Sequence, residues 1–141
     1  MCYTVILSTT SPEDLSTKSS EFVCFEKQPS DSRFASKLSY PNLWHAGWPS
    51  GCCSCYFRHL MDPQLGFGKP VDWMPEDVQN LEATARFIAV VGEVLDGGHP
   101  IDCVDIWGEP DRLVELYVDL NRVTDEEFRF FENYHFRFTR G

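Results

Sequence analysis

The sequence predicts an α+β domain: a mostly antiparallel sheet, one long helix (about residues 75–97) packed across one face, and a short C-terminal helix. Three observations predict it. Short β-branched and aromatic runs recur along the chain, separated by Pro-, Gly- and Ser-rich breaks. One segment, between Met74-Pro75 and Gly97-Gly98, carries apolar residues at three- and four-residue steps. The early runs are joined by short or irregular connections rather than crossover helices, which favours antiparallel pairing. The strand–helix–strand piece around the long helix is where a parallel pair remains open.

Tyr3 to Leu7 is the first strand, followed by a Ser/Thr-rich loop to Ser20. Glu21 to Glu26 is a second strand, with Val23 and Phe25 on one face and Phe22 and Cys24 on the other. After Pro41, Asn42 to Trp48 reads as a strand. Pro49-Ser50-Gly51 turns the chain and Cys52 to Leu60 returns. The long helix opens at Pro75, where a missing N–H costs nothing, with Glu76 and Asp77 at the positive end of its dipole. Its apolar stripe is Val78, Leu81, Ala85, Ile88 and Leu95, and Gly97-Gly98 ends it.

Ile101 to Trp107 is the next strand. In Leu113 to Leu120 the inward set is Val114, Leu116, Val118 and Leu120, and the outward set is Glu115, Tyr117 and Asp119. Thr124 and Glu127 have capping-box spacing, so a short helix is expected to run from there to near Asn133. Tyr134, Phe136 and Phe138 alternate with His135, Arg137 and Thr139 in the last strand.

At 141 residues the chain has the size of one domain. Its net charge of −10, with no basic run, repels a phosphate backbone and argues against nucleic acid as a partner. No apolar run approaches the ~20 residues that span a bilayer, so no membrane role is expected. Met1 to Leu7 has neither a charged lead nor a small-residue cleavage site. The expectation is therefore cytoplasmic, where the six cysteines stay reduced.

Chemistry concentrates in Gly51 to Leu60, which holds Cys52, Cys53, Cys55, Arg58 and His59. On a strand, Cys53, Cys55, Phe57 and His59 share one face, with the two cysteines about 6.6 Å apart at Cα. Their sulfurs could meet on a zinc ion, with Cys103 as third ligand and His59 or His99 as fourth. A lone Cys-x-Cys pair is less diagnostic than paired knuckles. The simpler account makes the thiols small apolar fillers in a reduced core, with no cofactor. A reactive thiol would need a base from elsewhere, such as His45 or His99, because on a strand His59 lies too far from Cys55.

Gly66-Phe67-Gly68-Lys69 reads as a plain turn, since Asp72, Glu76 and Asp77 would repel phosphate there. Asp102, Asp105, Glu109 and Asp111 read as a solvated acidic rim; Asp102 and Asp105 differ in strand parity and do not form a carboxylate pair.

The aromatic richness and the lack of a convincing catalytic set favour a non-catalytic domain that binds a protein or small molecule through Trp44, His45, Trp48 and Arg58. The alternative is a zinc-binding or thiol-dependent enzyme centred on Cys53, Cys55 and His59. An open sheet leaves edges that need protection, and a homodimer is one way to protect them.

Met1-Cys2-Tyr3-Thr4-Val5, Cys53-Ser54-Cys55 with Phe57-Arg58-His59-Leu60, Leu65-Gly66-Phe67-Gly68 and Phe130-Phe131-Glu132-Asn133 together resemble a group of small uncharacterised bacterial proteins. The resemblance spans most of the chain. It implies a bacterial, cytoplasmic, single-domain protein and carries over no activity, cofactor or catalytic residue.

Overall fold

The computed structural model describes residues 2–49, 53–60 and 63–141. In chain order its elements are β1 (Thr4–Thr9), β2 (Cys24–Gln28), β3 (Asn42–Gly47), β4 (His59–Leu60), α1 (Val78–Asp96), β5 (Ile101–Ile106), β6 (Val114–Asp119), β7 (Phe130–Phe131) and β8 (Tyr134–Thr139). Six strands form one sheet in the order β2-β3-β1-β5-β8-β6. Every neighbour pair in it is antiparallel except β6 with β8. The short strands β4 and β7 make a separate parallel pair. No described helix is long and apolar enough to cross a membrane.

The central strands are buried on both faces, which is why they read as continuous runs rather than alternating ones. Val5 and Leu7 of β1 join the core beneath α1. Ile6, with Val104 and Ile106 of β5, points the other way, under Phe34, Leu38 and Leu113. That second layer comes from the two ends of a 3-10 turn at Ala35–Lys37 and from the loop before β6, so the sheet has cover on both sides with an α-helix on only one.

The helix begins three residues beyond Pro75, with Asp77 in the N-cap position. Its buried face is Ala83, Thr84, Phe87, Ile88, Val90, Val91 and Val94. Of the expected stripe only Ile88 is fully buried, and Val78 is 69% exposed. Phe87 sets the rotation. Its ring meets Phe25, Phe57, Phe130 and Phe138 at centroid distances of 5.2 to 6.5 Å. Burying that large ring outweighs burying Leu81 and Ala85.

Two further expectations are corrected. The short C-terminal helix is absent. Thr124 N–H donates to Glu127 Oε1 (3.1 Å) and Phe128 N–H to the Thr124 carbonyl (3.1 Å), but the turn stops there. Phe128, Phe130 and Phe131 are all buried, and Phe130 and Phe131 pair with His59 and Leu60 of β4 instead of continuing a helix. The chain thus extends into β7. The Cys52 to Leu60 strand is also absent over its described part: Ser54–Tyr56 is a 3-10 turn and only His59–Leu60 forms a strand. Ser50, Gly51 and Cys52 lie outside the described residues.

Candidate thiol centre

Ser54 explains the turn. Its buried hydroxyl donates to the Ala46 carbonyl of β3 (2.6 Å) and accepts from Val5 N–H of β1 (2.9 Å). It thereby stitches the Cys53–Cys55 segment across two paired strands. Tyr3 N–H, two residues earlier, donates to Cys55 Sγ at 3.3 Å. The start of β1 is thus pinned to this turn, which brings Cys2 alongside. The sulfurs of Cys2, Cys53 and Cys55 all lie within 4.8 Å of one another. Cys2 is exposed, whereas Cys53 and Cys55 are half-buried.

The thiols of Cys53 and Cys55 do not titrate alike. Burial pushes Cys55 up to about 12, reinforced by its hydrogen bond with the Cys53 thiol and only partly offset by Tyr3 N–H. At Cys53 burial also opposes ionisation. Hydrogen bonds from the Cys55 backbone and from the Cys55 and Cys2 thiols outweigh it and lower the pKa. Of Cys53 and Cys55, Cys53 is therefore the readier to ionise, because the hydrogen bonds it receives favour its charged form.

Beneath this cluster lies a second buried set. His59 Nε2 is 2.6 Å from the Ser54 carbonyl, and Nδ1 is 2.9 Å from Asp105 Oδ2. Only an N–H satisfies a carbonyl, so Nε2 carries a proton. A further proton then lies between Nδ1 and Oδ2, and the pair is neutral as a whole. Tyr3 stacks flat on the imidazole at 3.8 Å, and its hydroxyl reaches Glu132 Oε1 at 3.3 Å. Burial raises the Tyr3 phenol to about 12, with Glu132 and Asp105 adding to the effect.

Burial likewise raises the Asp105 carboxyl, against the opposing pull of His59. This has a definite sign for stability. Below the usual carboxyl value of 3.8 both folded and unfolded chains hold the proton, and the contribution of Asp105 is fully present. As pH climbs through the raised folded value, the unfolded chain ionises more easily and that contribution is lost. Asp105→Asn cannot ionise. Denaturant unfolding between about pH 4 and pH 7 should show the wild type losing stability relative to the variant as pH rises. Parallel profiles would show that Asp105 does not titrate in this way.

The residues singled out from sequence separate clearly. Cys53 and Cys55 converge, but their third thiol is Cys2 rather than Cys103. Cys103 is wholly buried in the core, where burial raises its pKa well above the usual value. His59 faces Asp105 and the Ser54 carbonyl. Trp44 is buried in the main core, with Lys27 Nζ 4.9 Å from its ring centroid. Trp48 packs on Tyr56 at 4.9 Å. His45 Nε2 lies 3.2 Å from Ser54 Oγ, and burial lowers its pKa. The guanidinium of Arg58, whose residue is 3% exposed, is engaged internally by Glu76 and three backbone carbonyls.

Asp102 and Asp105 are not a solvated rim; both are buried, on opposite faces of β5. Asp102 accepts from Ser8 Oγ and from Ser39 N–H (3.1 Å), and lies 2.7 Å from His135 Nε2. Ser8 and His135 meet the carboxylate and not each other, and Ser8 is fully buried. The set is thus not a nucleophilic triad. Cys2, Ser54 and Asp105 belong to the site although the sequence placed none of them in it. Nothing in the spacing ties position 2 to positions 53–55; the register of β1 on β3 does.

Compared with family models, curated proteins and solved structures, the chain finds no match. Its chemistry has to be read from its own atoms.

Proposed function

We propose that the protein binds a thiophilic metal ion, zinc foremost, through Cys2, Cys53 and Cys55. The observation that carries this reading is the convergence of three sulfurs from two distant chain segments within 4.8 Å. Zinc–sulfur bonds of about 2.3 Å in a tetrahedron set sulfurs roughly 3.8 Å apart. A closure of up to about 1 Å would therefore complete the site. Thiolates are the soft donors that zinc and copper(I) select. Three of them leave one tetrahedral position for water or a ligand, the pattern of an open zinc site. Tyr3 N–H on Cys55 Sγ is the type of outer hydrogen bond that orients a metal ligand.

Protein purified from metal-replete culture should carry about one equivalent of zinc. Replacement by cobalt(II) should give the intense sulfur-to-cobalt charge-transfer band of thiolate ligation. Cys2→Ser, Cys53→Ser and Cys55→Ser should each weaken binding by at least about a hundredfold, whereas Cys103→Ala should leave it within about threefold. Sub-stoichiometric zinc throughout, or equal loss in the Cys103 variant, would remove this reading.

A further inference from the structure

Cys2 belongs to a wall as well as to the thiol cluster. On the sheet face away from α1, a cleft of about 570 Å³ is bounded by Cys2, Arg33, Phe34, Ile106 and Glu109. It shares Arg33, Phe34 and Ile106 with a hollow of about 200 Å³ that adds Lys37. Lys37 also lines a third hollow of about 510 Å³, together with Arg112, His135 and Arg137. Adjoining hollows thus run from Cys2 along the sheet. Four of the chain's 12 lysines and arginines line them.

Arg137 is paired with Glu115 at 2.9 Å. Arg33, Lys37 and Arg112 make no ion pair among the described residues. The Arg33 guanidinium lies over the Phe34 ring at 4.7 Å and is exposed. In a chain of net charge −10, the general field repels small anions. The hollows are also lined by Glu109, Asp111 and Glu115, and among the described residues Arg33 is the one cation of the hollow that holds Cys2. A guanidinium resting over a ring can keep its donor fork free, and that fork matches the oxygens of a carboxylate or phosphate. Phe34 and Ile106 offer an apolar surface for a carbon skeleton, and Cys2 stands at the same wall.

We propose that this cleft binds a small oxyanion-bearing molecule, a carboxylate or a phosphate ester, whose charged group pairs with Arg33 and whose other end reaches the Cys2 sulfur. The inference builds on the thiol centre proposed above and supplies the class of ligand for its open position. Glu109 shares the wall and sets the opposite electrostatic sign, which gives the test two directions.

The probes are iodoacetate and its neutral counterpart iodoacetamide, applied at low ionic strength to metal-free reduced protein. Alkylation of Cys2 is followed by peptide mass spectrometry. The quantity read is the ratio of the two rates, which cancels differences in thiol ionisation. Arg33→Gln should lower the iodoacetate-to-iodoacetamide ratio about fivefold or more, and Glu109→Gln should raise it. Both residues are exposed, so neither variant endangers the fold. A ratio unchanged in Arg33→Gln overturns the proposal.

Protection from iodoacetamide then identifies the anion. Acetate alone protecting marks a carboxylate site, and inorganic phosphate alone marks a phosphate site. Protection by neither counts against the cleft as a binding site. Zinc content measured on the same preparations separates the two readings. Stoichiometric zinc with a flat ratio removes the cleft and leaves the metal centre. A shifted ratio without zinc removes the metal and leaves an anion cleft beside reactive thiols.

Discussion

Replacing Arg58 by alanine should destabilise the protein by about 3–5 kcal/mol, the usual cost of removing one partner of a buried ion pair. The guanidinium is used almost completely. Nε and Nη2 each donate to a Glu76 carboxylate oxygen at 2.8 Å. Nη1 donates to the carbonyls of Glu126 (2.7 Å) and Phe128 (3.2 Å), and Nη2 to that of Gly68 (2.7 Å). Three segments with little regular structure are joined by this one side chain: the Gly66–Gly68 loop, the approach to α1 and the turn at 124–128. Alanine would leave a partly buried carboxylate and three carbonyls without their donor.

Lysine offers a point charge in place of a fork, so Arg58→Lys should recover only part of the loss. The pH dependence has a definite sign too. The hydrogen bonds from Arg58 hold the Glu76 carboxyl below its usual 4.5, despite some burial. That contribution is present above the unfolded value and is lost as pH falls through the lowered folded one. The gap between wild type and Arg58→Ala should therefore narrow toward acid, the opposite slope to that of Asp105. Urea unfolding near neutral pH measures the first effect; a loss under about 1 kcal/mol would show that solvent replaces the guanidinium at little cost.

Phe130→Ala should cost a similar amount, about 3–5 kcal/mol, through the cavity it leaves. The ring is fully buried and sits among Phe57, Phe87, Phe128 and Phe136 at 5.0 to 6.0 Å. It also lies 5.6 Å from the His59 ring, and β7 carries it beside β4. Losing it should loosen the support under the thiol turn as well as the core. Phe130→Leu keeps much of the volume and should cost under about 1.5 kcal/mol. Equal losses for the two variants would point to the β4–β7 pairing rather than to the cavity as the source.

Much of the sheet was legible because its signals are local. Residues of all six main strands stand out as β-branched or aromatic runs, with ends misplaced by one to a few positions. The run at Glu21 to Glu26 begins its strand only at Cys24, because Val23 is already drawn into the core and its carbonyl accepts from Ser20 N–H at 2.8 Å. The long helix was legible from its period and its double glycine. Its buried face was not, because the partner of Phe87 is a set of rings up to 62 residues away in sequence. The capping box at Thr124 forms its hydrogen bond and still fails to propagate a helix. A local signal worth roughly 1 kcal/mol loses to the burial of three phenylalanines, each worth about 1.5–3 kcal/mol.

By itself, then, the sequence determined the strand-forming runs, the one long helix and the cysteine-rich stretch, since each depends on residues close together in the chain. Only the tertiary structure decided which thiols meet and which ionisable groups are buried. Cys2 joins Cys53 and Cys55, and Cys103 does not, because β1 pairs with β3 while the Ser54 hydroxyl bonds to both strands. Asp105 finds His59 by the same folding of a two-residue strand against β7 rather than into the main sheet. Proximity across fifty residues is a property of strand register, and register is set by the packed core as a whole.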